Sequence, residues 1–209
     1  MHDMLPLLNA LDFPAIRRGP LQALQVNLTY QCNQRCLHCH VNAGPTRTEA
    51  MTDESLALLL QVIDAHAVQT LDLTGGAPEM HPRFREIVRH ARAAGLRVID
   101  RCNLTILSEP GFEDLADFLA AQQVEISASL PCYSRDNVDK QRGDGVFEAS
   151  IRGLQALNRL GYGVEGSGLL LNLVYNPQGP SLPPPQAQLE ADYKSHLAED
   201  FGIVFNHLL

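Results

Sequence analysis

The sequence predicts an α/β fold in which a parallel sheet forms an open, partial (β/α)6 TIM-like barrel. Short segments with strand character recur along the chain, and amphipathic segments with helical spacing separate them. Such repeats favour parallel strands joined by right-handed crossovers, and five or six units are fewer than the eight that close a barrel. The carboxyl ends of the strands are therefore where we expect the chemistry to lie.

The predicted strands share their shortness and a turn-forming segment after each of them. They span residues 24–29, 70–74, 96–100, 124–130 and 169–175, with residues 203–205 as a sixth strand. The predicted helices share an apolar face at three- and four-residue spacing. They run from the N-cap Thr52 through Ile63, from Pro82 to the stop at Gly95, and over residues 112–121, 147–160 and 186–200.

Proline content suggests where the barrel begins and ends. Residues 1–21 lack strong periodicity and contain three prolines, so they are expected to be an N-terminal extension with at most one short helix. Residues 22–178 form the predicted core. Residues 179–185 include four prolines and cannot be regular structure, so residues 179–209 are interpreted as a linker and the start of a C-terminal region.

Composition narrows the class of protein. The 209 residues can bury one sizeable core, and the net charge of −8 argues against a nucleic-acid or acidic-membrane partner. The longest apolar runs are far too short to span a bilayer, and the start lacks the pattern of a signal peptide. We therefore expect a cytoplasmic protein with no membrane or nucleic-acid partner.

Three of the five cysteines, Cys32, Cys36 and Cys39, lie within eight residues directly after the first predicted strand. Three thiolates on one loop can hold three irons of a four-iron cluster and leave the fourth iron without a protein ligand. A zinc site with His38 or His40 as fourth ligand is the alternative, although no second ligand pair follows at finger-like spacing. A disulfide framework would require an oxidising compartment. Residues 32–39 are called the cysteine loop below.

The C-x3-C-x2-C spacing of the cysteine loop resembles the signature of the radical S-adenosylmethionine (SAM) enzymes. The resemblance implies a [4Fe-4S] cluster held by the three cysteines, with SAM bound at the open iron. Thr74 and the following Gly75, Gly76 and Ala77 resemble the family's GGEP segment, which binds the amino group of SAM. Ala77 replaces the acid, so the ammonium would be held by backbone carbonyls or by Glu79.

Three further positions resemble SAM-binding residues of the family. Asn103 follows the third strand, as in the Thr-Asn-Gly strand end of many members, and Ser129 stands where a small polar side chain binds the ribose hydroxyls. For these two, an ordinary turn residue or a buried serine is the alternative. His38 stands where members commonly carry an aromatic residue near the adenine; metal binding or simple exposure are its alternatives.

Longer stretches resemble one subfamily, the arsenosugar-biosynthesis radical SAM proteins. These stretches are residues 36–45, 73–79, 103–107, 128–133, 137–145, 173–177 and 189–194. The resemblance implies reductive cleavage of SAM and transfer of its 5′-deoxyadenosyl group to a methylated trivalent arsenical, with an electron donor such as flavodoxin or ferredoxin. Subfamily members are longer, so this chain is expected to be C-terminally shortened. A metal- or cluster-binding module without turnover, or a radical SAM enzyme with another substrate, remains open.

The two remaining cysteines, Cys102 and Cys132, each follow a predicted strand and are expected to face the site. Trivalent arsenic is thiophilic, so we expect one or both to hold the arsenical beside the reacting carbon. The alternative is that both are packed core residues, because lone cysteines often behave as small hydrophobes.

Overall fold

The computed structural model describes residues 5–9, 11, 17, 19–37, 39–177 and 182–209. Strands and helices alternate as predicted, except that two helices lie between the fourth and fifth strands. The strands are β1 (Ala23–Thr29), β2 (Thr70–Gly75), β3 (Arg97–Asp100), β4 (Glu125–Ser129), β5 (Leu171–Val174) and β6 (His207–Leu208). The helices are α1 (Leu5–Asn9), α2 (Asp53–Ala65), α3 (Phe84–Ala93), α4 (Leu115–Ala121), α5 (Arg135–Arg142), α6 (Val146–Arg159) and α7 (Gln186–Phe201).

The six strands form one sheet in the order of the sequence, and every neighbouring pair is parallel. This arrangement confirms the predicted open α/β fold, because β1 and β6 lie at opposite edges and do not pair. The position of the sixth strand was predicted wrongly. Residues 203–205 follow α7 directly, and the chain pairs with β5 only at residues 207–208, where Leu208 is opposite Leu173.

Local signals explain where the helices begin and end. The Thr52 side chain accepts a hydrogen bond from the Ser55 N–H at 3.3 Å and so caps α2, as predicted. Gly202 ends α7 in the left-handed conformation, at φ +66°. The sequence analysis missed α5 and the two 3₁₀ turns at Pro78–Met80 and Thr105–Ser108. Each of these is a short segment beyond a strand, where periodicity carries little signal.

The core lies between the sheet and its covering helices. Alternate strand residues point to this side and are completely buried, including Leu71, Leu73, Val98, Ile126 and Leu173. The opposite, concave face of the sheet is polar near the carboxyl ends of the strands, where Thr74, Ser127 and Ser129 line a cavity. One face of the sheet is apolar and covered by helices, and the other is polar. The candidate site is therefore expected on the polar, concave face.

The two ends of the chain differ in how much of the fold they contribute. Among the described residues of 1–21, α1 is the one helix or strand. Of the predicted proline-rich segment, residues 179–181 lie outside the described residues, and residues 182–185 form no helix or strand, as predicted. Beyond it, α7 buries Leu189, Tyr193 and Leu197, and β6 extends the sheet. The boundaries at residues 21 and 178 stay predictions. None of the helices in the described residues is both long and apolar enough to cross a membrane.

Candidate active site

A cavity of about 290 Å³ opens at the carboxyl end of the sheet. The three cysteines of the cysteine loop line it, together with polar residues that lie in β2 and β4 or follow β3 and β5. Its lining comprises Cys32, Gln34, Cys36, Cys39, His40, Ala43, Thr74, Gly76, Arg101, Asn103, Ser127, Ser129, Arg142, Val174 and Asn176. Seven of the predicted site residues therefore meet at one place: the three cysteines, Thr74, Gly76, Asn103 and Ser129.

Backbone hydrogen bonds hold the cysteine loop against the end of the sheet. Cys32 N–H donates to the Gly44 carbonyl at 3.2 Å, and Gly44 N–H donates to the Tyr30 carbonyl at 3.1 Å. Leu37 N–H donates to the Gln141 carbonyl at 3.0 Å, which joins the loop to α5. The loop is thus fixed at its base and near its middle without a disulfide, and all five cysteines are free thiols.

Side-chain amides hold the start of the loop. Asn103 Nδ2 donates to Asn33 Oδ1 at 2.7 Å and lies 3.5 Å from Cys32 Sγ. Asn33 Nδ2 and Gln34 Nε2 both donate to Thr105 Oγ1, at 2.9 and 2.7 Å. The sharp turn that returns Thr105 to the loop passes through Leu104, whose φ of +67° is uncommon for a residue with a side chain.

Several N–H groups point at the cysteine sulfurs. Gln34 N–H donates to Cys32 Sγ at 3.4 Å, and Ala43 N–H donates to Cys39 Sγ at 3.3 Å. Burial raises the pKa of the Cys32 thiol, while the N–H groups of Gln34 and Asn103 lower it. A bound metal cation would offset the effect of burial on the Cys32 thiol, because metal-bound thiols are deprotonated. The N–H donors would then stabilise the resulting thiolates.

Gly75 and Gly76 allow the end of β2 to pack closely against residues 29–31, the backbone that leads into the cysteine loop. A Cβ on Gly76 would lie 2.3 Å from the Gln31 carbonyl oxygen, and one on Gly75 would lie 2.4 Å from that of Thr29. Gly76 N–H donates to the Thr29 carbonyl at 2.7 Å. Gly75 also has a φ of +136°, which favours glycine. The two glycines therefore position the loop, and only Gly76 also lines the cavity.

Arg142, at the end of α5, is the most informative residue that the sequence analysis missed. Its side chain is only 6% exposed and lines the cavity, and its Nη1 donates to the Ser129 carbonyl. Within the described part of the chain, its Nε has no acceptor. Arg101 also lines the cavity, but Asp72 accepts two hydrogen bonds from it at 2.8 Å. Arg142 lies in one of the stretches of subfamily resemblance, yet only the fold shows that it faces the cysteines.

Four predicted site residues do not line the cavity. Gly75 and Ala77 are in contact with the backbone before the cysteine loop, and Ala77 is completely buried. Cys132 is half-buried, and its sulfur lies 3.4 Å from Ser134 Oγ and from Asn137 Nδ2. The expectation that Cys102 faces the site is wrong: the backbone beyond the end of β3 places its side chain with Asp100 on the buried side of the sheet, at 0% exposure, and it does not line the cavity. His38 lies outside the described residues.

On that buried side, Cys102 meets two carboxyl groups, those of Glu79 and Asp100. Ligand atoms of the three side chains lie within 4.8 Å of one another. Burial raises the pKa of Glu79, and burial together with the neighbouring Glu79 raises the pKa of Asp100 well above its usual range. The pKa of Cys102 is raised in the same way, by burial and then by the two carboxyls. These three residues are called the buried acidic group below.

Known proteins resemble this chain in sequence. Residues 26–177, well over half of the chain, match the family described as the Radical SAM superfamily. A "Probable GTP 3',8-cyclase" of Saccharolobus solfataricus is 29% identical over 140 residues, which cover 66% of this chain and 44% of the relative. A protein of the same name from Metallosphaera sedula is 27% identical over 144 residues. The chain thus spans less than half the length of these curated relatives.

Solved structures share the fold. The Streptococcus suis protein SuiB bound to S-adenosylmethionine superposes with a TM-score of 0.63 at 13% identity, over 86% of this chain and 38% of SuiB. The protein anSMEcpe with bound AdoMet superposes with a TM-score of 0.58 at 17% identity, over 75% of this chain and 43% of that one. At such identities the likeness shows the fold alone.

Radical SAM proteins use a [4Fe-4S] cluster and S-adenosylmethionine, and the cavity presents thiols and polar groups of the kinds that those two cofactors require. The extent of the family match, together with the open parallel sheet, shows that this chain belongs to the radical SAM superfamily.

Proposed function

We propose that this chain is the catalytic core of a radical SAM enzyme in which Cys32, Cys36 and Cys39 hold the [4Fe-4S] cluster. The observation that carries the proposal is that the three thiols of one loop line a single cavity at the carboxyl end of a parallel sheet. The N–H groups directed at Cys32 and Cys39 suit thiolate ligands, because they stabilise negative charge on sulfur. When bound there, the cluster would supply the electron that cleaves the bond between the sulfonium sulfur and C5′ of SAM.

Arg142 is proposed to bind the carboxylate of SAM. A guanidinium that is buried and retains an unpartnered Nε is costly unless it meets an anion. The methionine part of SAM carries a carboxylate, and a guanidinium binds carboxylates through paired hydrogen bonds. The Ser129 carbonyl accepts a hydrogen bond from Nη1 and so fixes the guanidinium of a side chain that lines the cavity.

The amino group and the ribose of SAM are proposed to contact polar residues of the cavity other than Arg142. Thr74, Gly76, Asn103 and Ser129 line the cavity beside the cysteines, and we propose that they contact the methionine amino group and the ribose. Glu79 is excluded as the partner of the ammonium, because its carboxyl group lies with Asp100 and Cys102 on the other side of the sheet. Backbone carbonyls therefore replace the acid that is absent at Ala77.

For the substrate, we propose a methylated trivalent arsenical that receives the 5′-deoxyadenosyl group of SAM. The subfamily stretches support this proposal, since two of them contribute Arg142 and Ser129 to the cavity. No thiol besides the three of the cysteine loop lines the cavity among the described residues, so Cys102 is not part of this proposal. Cys132 would need to turn from its contacts with Ser134 and Asn137 to bind arsenic.

A purine nucleotide is the second candidate substrate. It is favoured by the relatives named as probable GTP 3',8-cyclases, which match two thirds of this chain. Against it, a substrate that carries three phosphates would meet two arginines in the described lining of the cavity, and one of them, Arg101, is already paired with Asp72. The match covers 44% of the relative, and product analysis decides between the two substrates.

The test uses the chain with its cluster reconstituted under anaerobic conditions and chemically reduced. SAM is supplied with either a methylated trivalent arsenical or GTP, and the products are identified by mass spectrometry. We expect 5′-deoxyadenosine in both mixtures and an arsenic–adenosyl product only with the arsenical. A cyclised nucleotide would overturn the arsenical proposal, and a loaded cluster that never cleaves SAM would indicate a binding module without turnover.

A further inference from the structure

The buried acidic group contains two carboxyl groups that the described part of the fold leaves without a hydrogen-bond partner. Glu79 is 5% exposed, and Asp100 and Cys102 are completely buried. None of the four carboxylate oxygens has a hydrogen-bond donor among the described residues outside the group. Carboxylates buried in this way are strongly unfavourable unless a proton or a cation compensates them.

Neighbouring side chains do not supply that compensation. The Tyr162 hydroxyl is close enough for Asp100 to raise its pKa, but it donates to the Val124 carbonyl at 2.8 Å. Arg101 is adjacent to both Asp100 and Cys102 in sequence, yet it points to the concave face and pairs with Asp72. Leu104 N–H donates to the Cys102 sulfur at 3.3 Å, which favours a thiolate.

We propose that Glu79, Asp100 and Cys102 form a second metal site, which takes a divalent transition-metal ion such as Zn²⁺. One thiolate and two carboxylates are ligands that zinc accepts, and around a tetrahedral zinc the ligand atoms lie roughly 3.4–3.8 Å apart. The three ligand atoms already lie within 4.8 Å of one another, so only a small contraction is needed. Calcium and magnesium are disfavoured, because they require six or more oxygen ligands.

The position of the site indicates what the metal would do. Glu79 belongs to the 3₁₀ turn that follows Gly76, and Cys102 directly precedes Asn103. Gly76 and Asn103 both line the cavity on the other face of the sheet. A metal bound by Glu79 and Cys102 would therefore tie together two segments that shape the cavity, and binding would be coupled to folding because the site is buried.

The first test uses the chain with its iron–sulfur cluster loaded. Zn²⁺ is added during anaerobic preparation, the protein is desalted, and zinc is measured per chain and by X-ray absorption at the zinc edge, where iron does not contribute. We expect equimolar zinc with one sulfur and two or more oxygen ligands. Zinc content near zero overturns the proposal, and so does zinc bound by two or three sulfurs, which would place it in the cysteine loop.

The second test identifies the ligands. In a Cys32→Ala/Cys36→Ala/Cys39→Ala variant, Co²⁺ replaces Zn²⁺ as a probe, because a cobalt–thiolate bond gives a charge-transfer absorbance. We expect this band to be lost on adding Cys102→Ser and retained on adding Cys132→Ser, the matched control. A band that survives Cys102→Ser overturns the proposal. If the serine variant does not fold, Glu79→Gln replaces it and must weaken Co²⁺ binding at least tenfold.

An infrared spectrum of the unmodified chain distinguishes compensation of the buried carboxyls by a metal ion from compensation by protons. Shared protons are the alternative compensation for the buried carboxyls, and a protonated carboxyl has its own C=O stretch. A stretch that disappears on zinc binding supports the metal site. A stretch that persists in excess Zn²⁺, and is lost in Asp100→Asn, shows that protons alone compensate the group and overturns the proposal.

Discussion

The cysteine loop and the buried acidic group lie on opposite faces of one sheet, although Asn103 belongs to the first environment and the adjacent Cys102 to the second. The loop thiols line an open cavity and receive N–H donors from Gln34 and Ala43. Cys102 instead lies beside two carboxyls, which raise its pKa together with burial. Adjacent residues of one chain thus lie in different environments, because the backbone beyond the end of β3 at Asp100 directs Asn103 to the cavity and Cys102 to the buried carboxyls.

This contrast explains why the number of cysteines beyond a strand is a poor guide to a substrate site. A thiol can react or bind a metal only as a thiolate, so it needs positive charge or hydrogen-bond donors nearby. The cysteine loop provides donors. Burial and the two neighbouring carboxyls raise the pKa of Cys102 well above its usual range, although the Leu104 N–H donates to its sulfur, and a bound cation would oppose that rise.

The largest effect outside the cysteines is expected for Arg142→Lys, which changes the open face of the sheet. Lysine keeps the charge but loses the paired donors of the guanidinium, so SAM affinity should fall about ten- to a hundredfold. Anaerobic titration of the cluster-loaded chain with SAM measures it. Arg135→Lys, on the same helix but outside the cavity, is the control, and equal affinities in both variants would contradict the assignment.

Gly76→Ala tests the contact between β2 and the approach to the cysteine loop. The new Cβ would lie 2.3 Å from the Gln31 carbonyl oxygen, so the loop must move, at a cost of about 1–3 kcal/mol. We expect lower thermal stability and incomplete cluster loading. Gly44→Ala is the matched control, because its Cβ would make only an ordinary contact of 3.7 Å with Arg35. Normal iron content in Gly76→Ala would show that the contact does not position the loop.

Asp100→Asn tests the buried acidic group. It should raise the stability of the metal-free chain and reduce the stabilisation that zinc provides. In the metal-free chain it replaces a buried carboxyl by an amide that can donate to Glu79, so stability should rise by about 1 kcal/mol. In the zinc-loaded chain it removes a ligand, so the stabilisation by zinc should shrink. Chemical denaturation with zinc and with a chelator measures both. The same change under both conditions would contradict the account.

The smallest effect is expected for Asn103→Ala, which removes a donor 3.5 Å from Cys32 Sγ. Hydrogen bonds to the sulfurs stabilise the reduced cluster, so the reduction potential should become more negative. A redox titration followed by electron paramagnetic resonance measures the shift. Thr105→Val disturbs the same network without touching a sulfur and should shift the potential less. An unchanged potential in Asn103→Ala would show that this contact does not tune the cluster.

Much of the fold could be predicted because the chain alternates strands and helices with clear periods. The βα order and the caps at Thr52 and Gly202 follow from local signals. The sixth strand was misplaced because β6 has only two residues, and its pairing with β5 is a tertiary effect. Boundaries and short elements of this kind depend on neighbours that a local pattern does not contain.

In the candidate site, too, residues close together in sequence could be predicted, whereas residues brought together by tertiary contacts could not. The spacing of the three cysteines pointed to the cavity, because ligands on one loop stay together in any fold. Arg142 was missed because α5 brings it to Ser129 only in three dimensions. Cys102 was assigned to the wrong face because β3 ends at Asp100, and the irregular backbone beyond it was treated as if both neighbouring side chains faced the site.

The most direct test of the central claim compares alanine variants of single cysteines after anaerobic reconstitution. Cys32→Ala, Cys36→Ala and Cys39→Ala are assayed for iron and for 5′-deoxyadenosine formation, with Cys132→Ala as the control. The account predicts about four irons per chain and SAM cleavage in the control, and a sharp loss of both in each of the three loop variants. A loop variant that keeps a four-iron cluster and cleaves SAM at the control rate would contradict it.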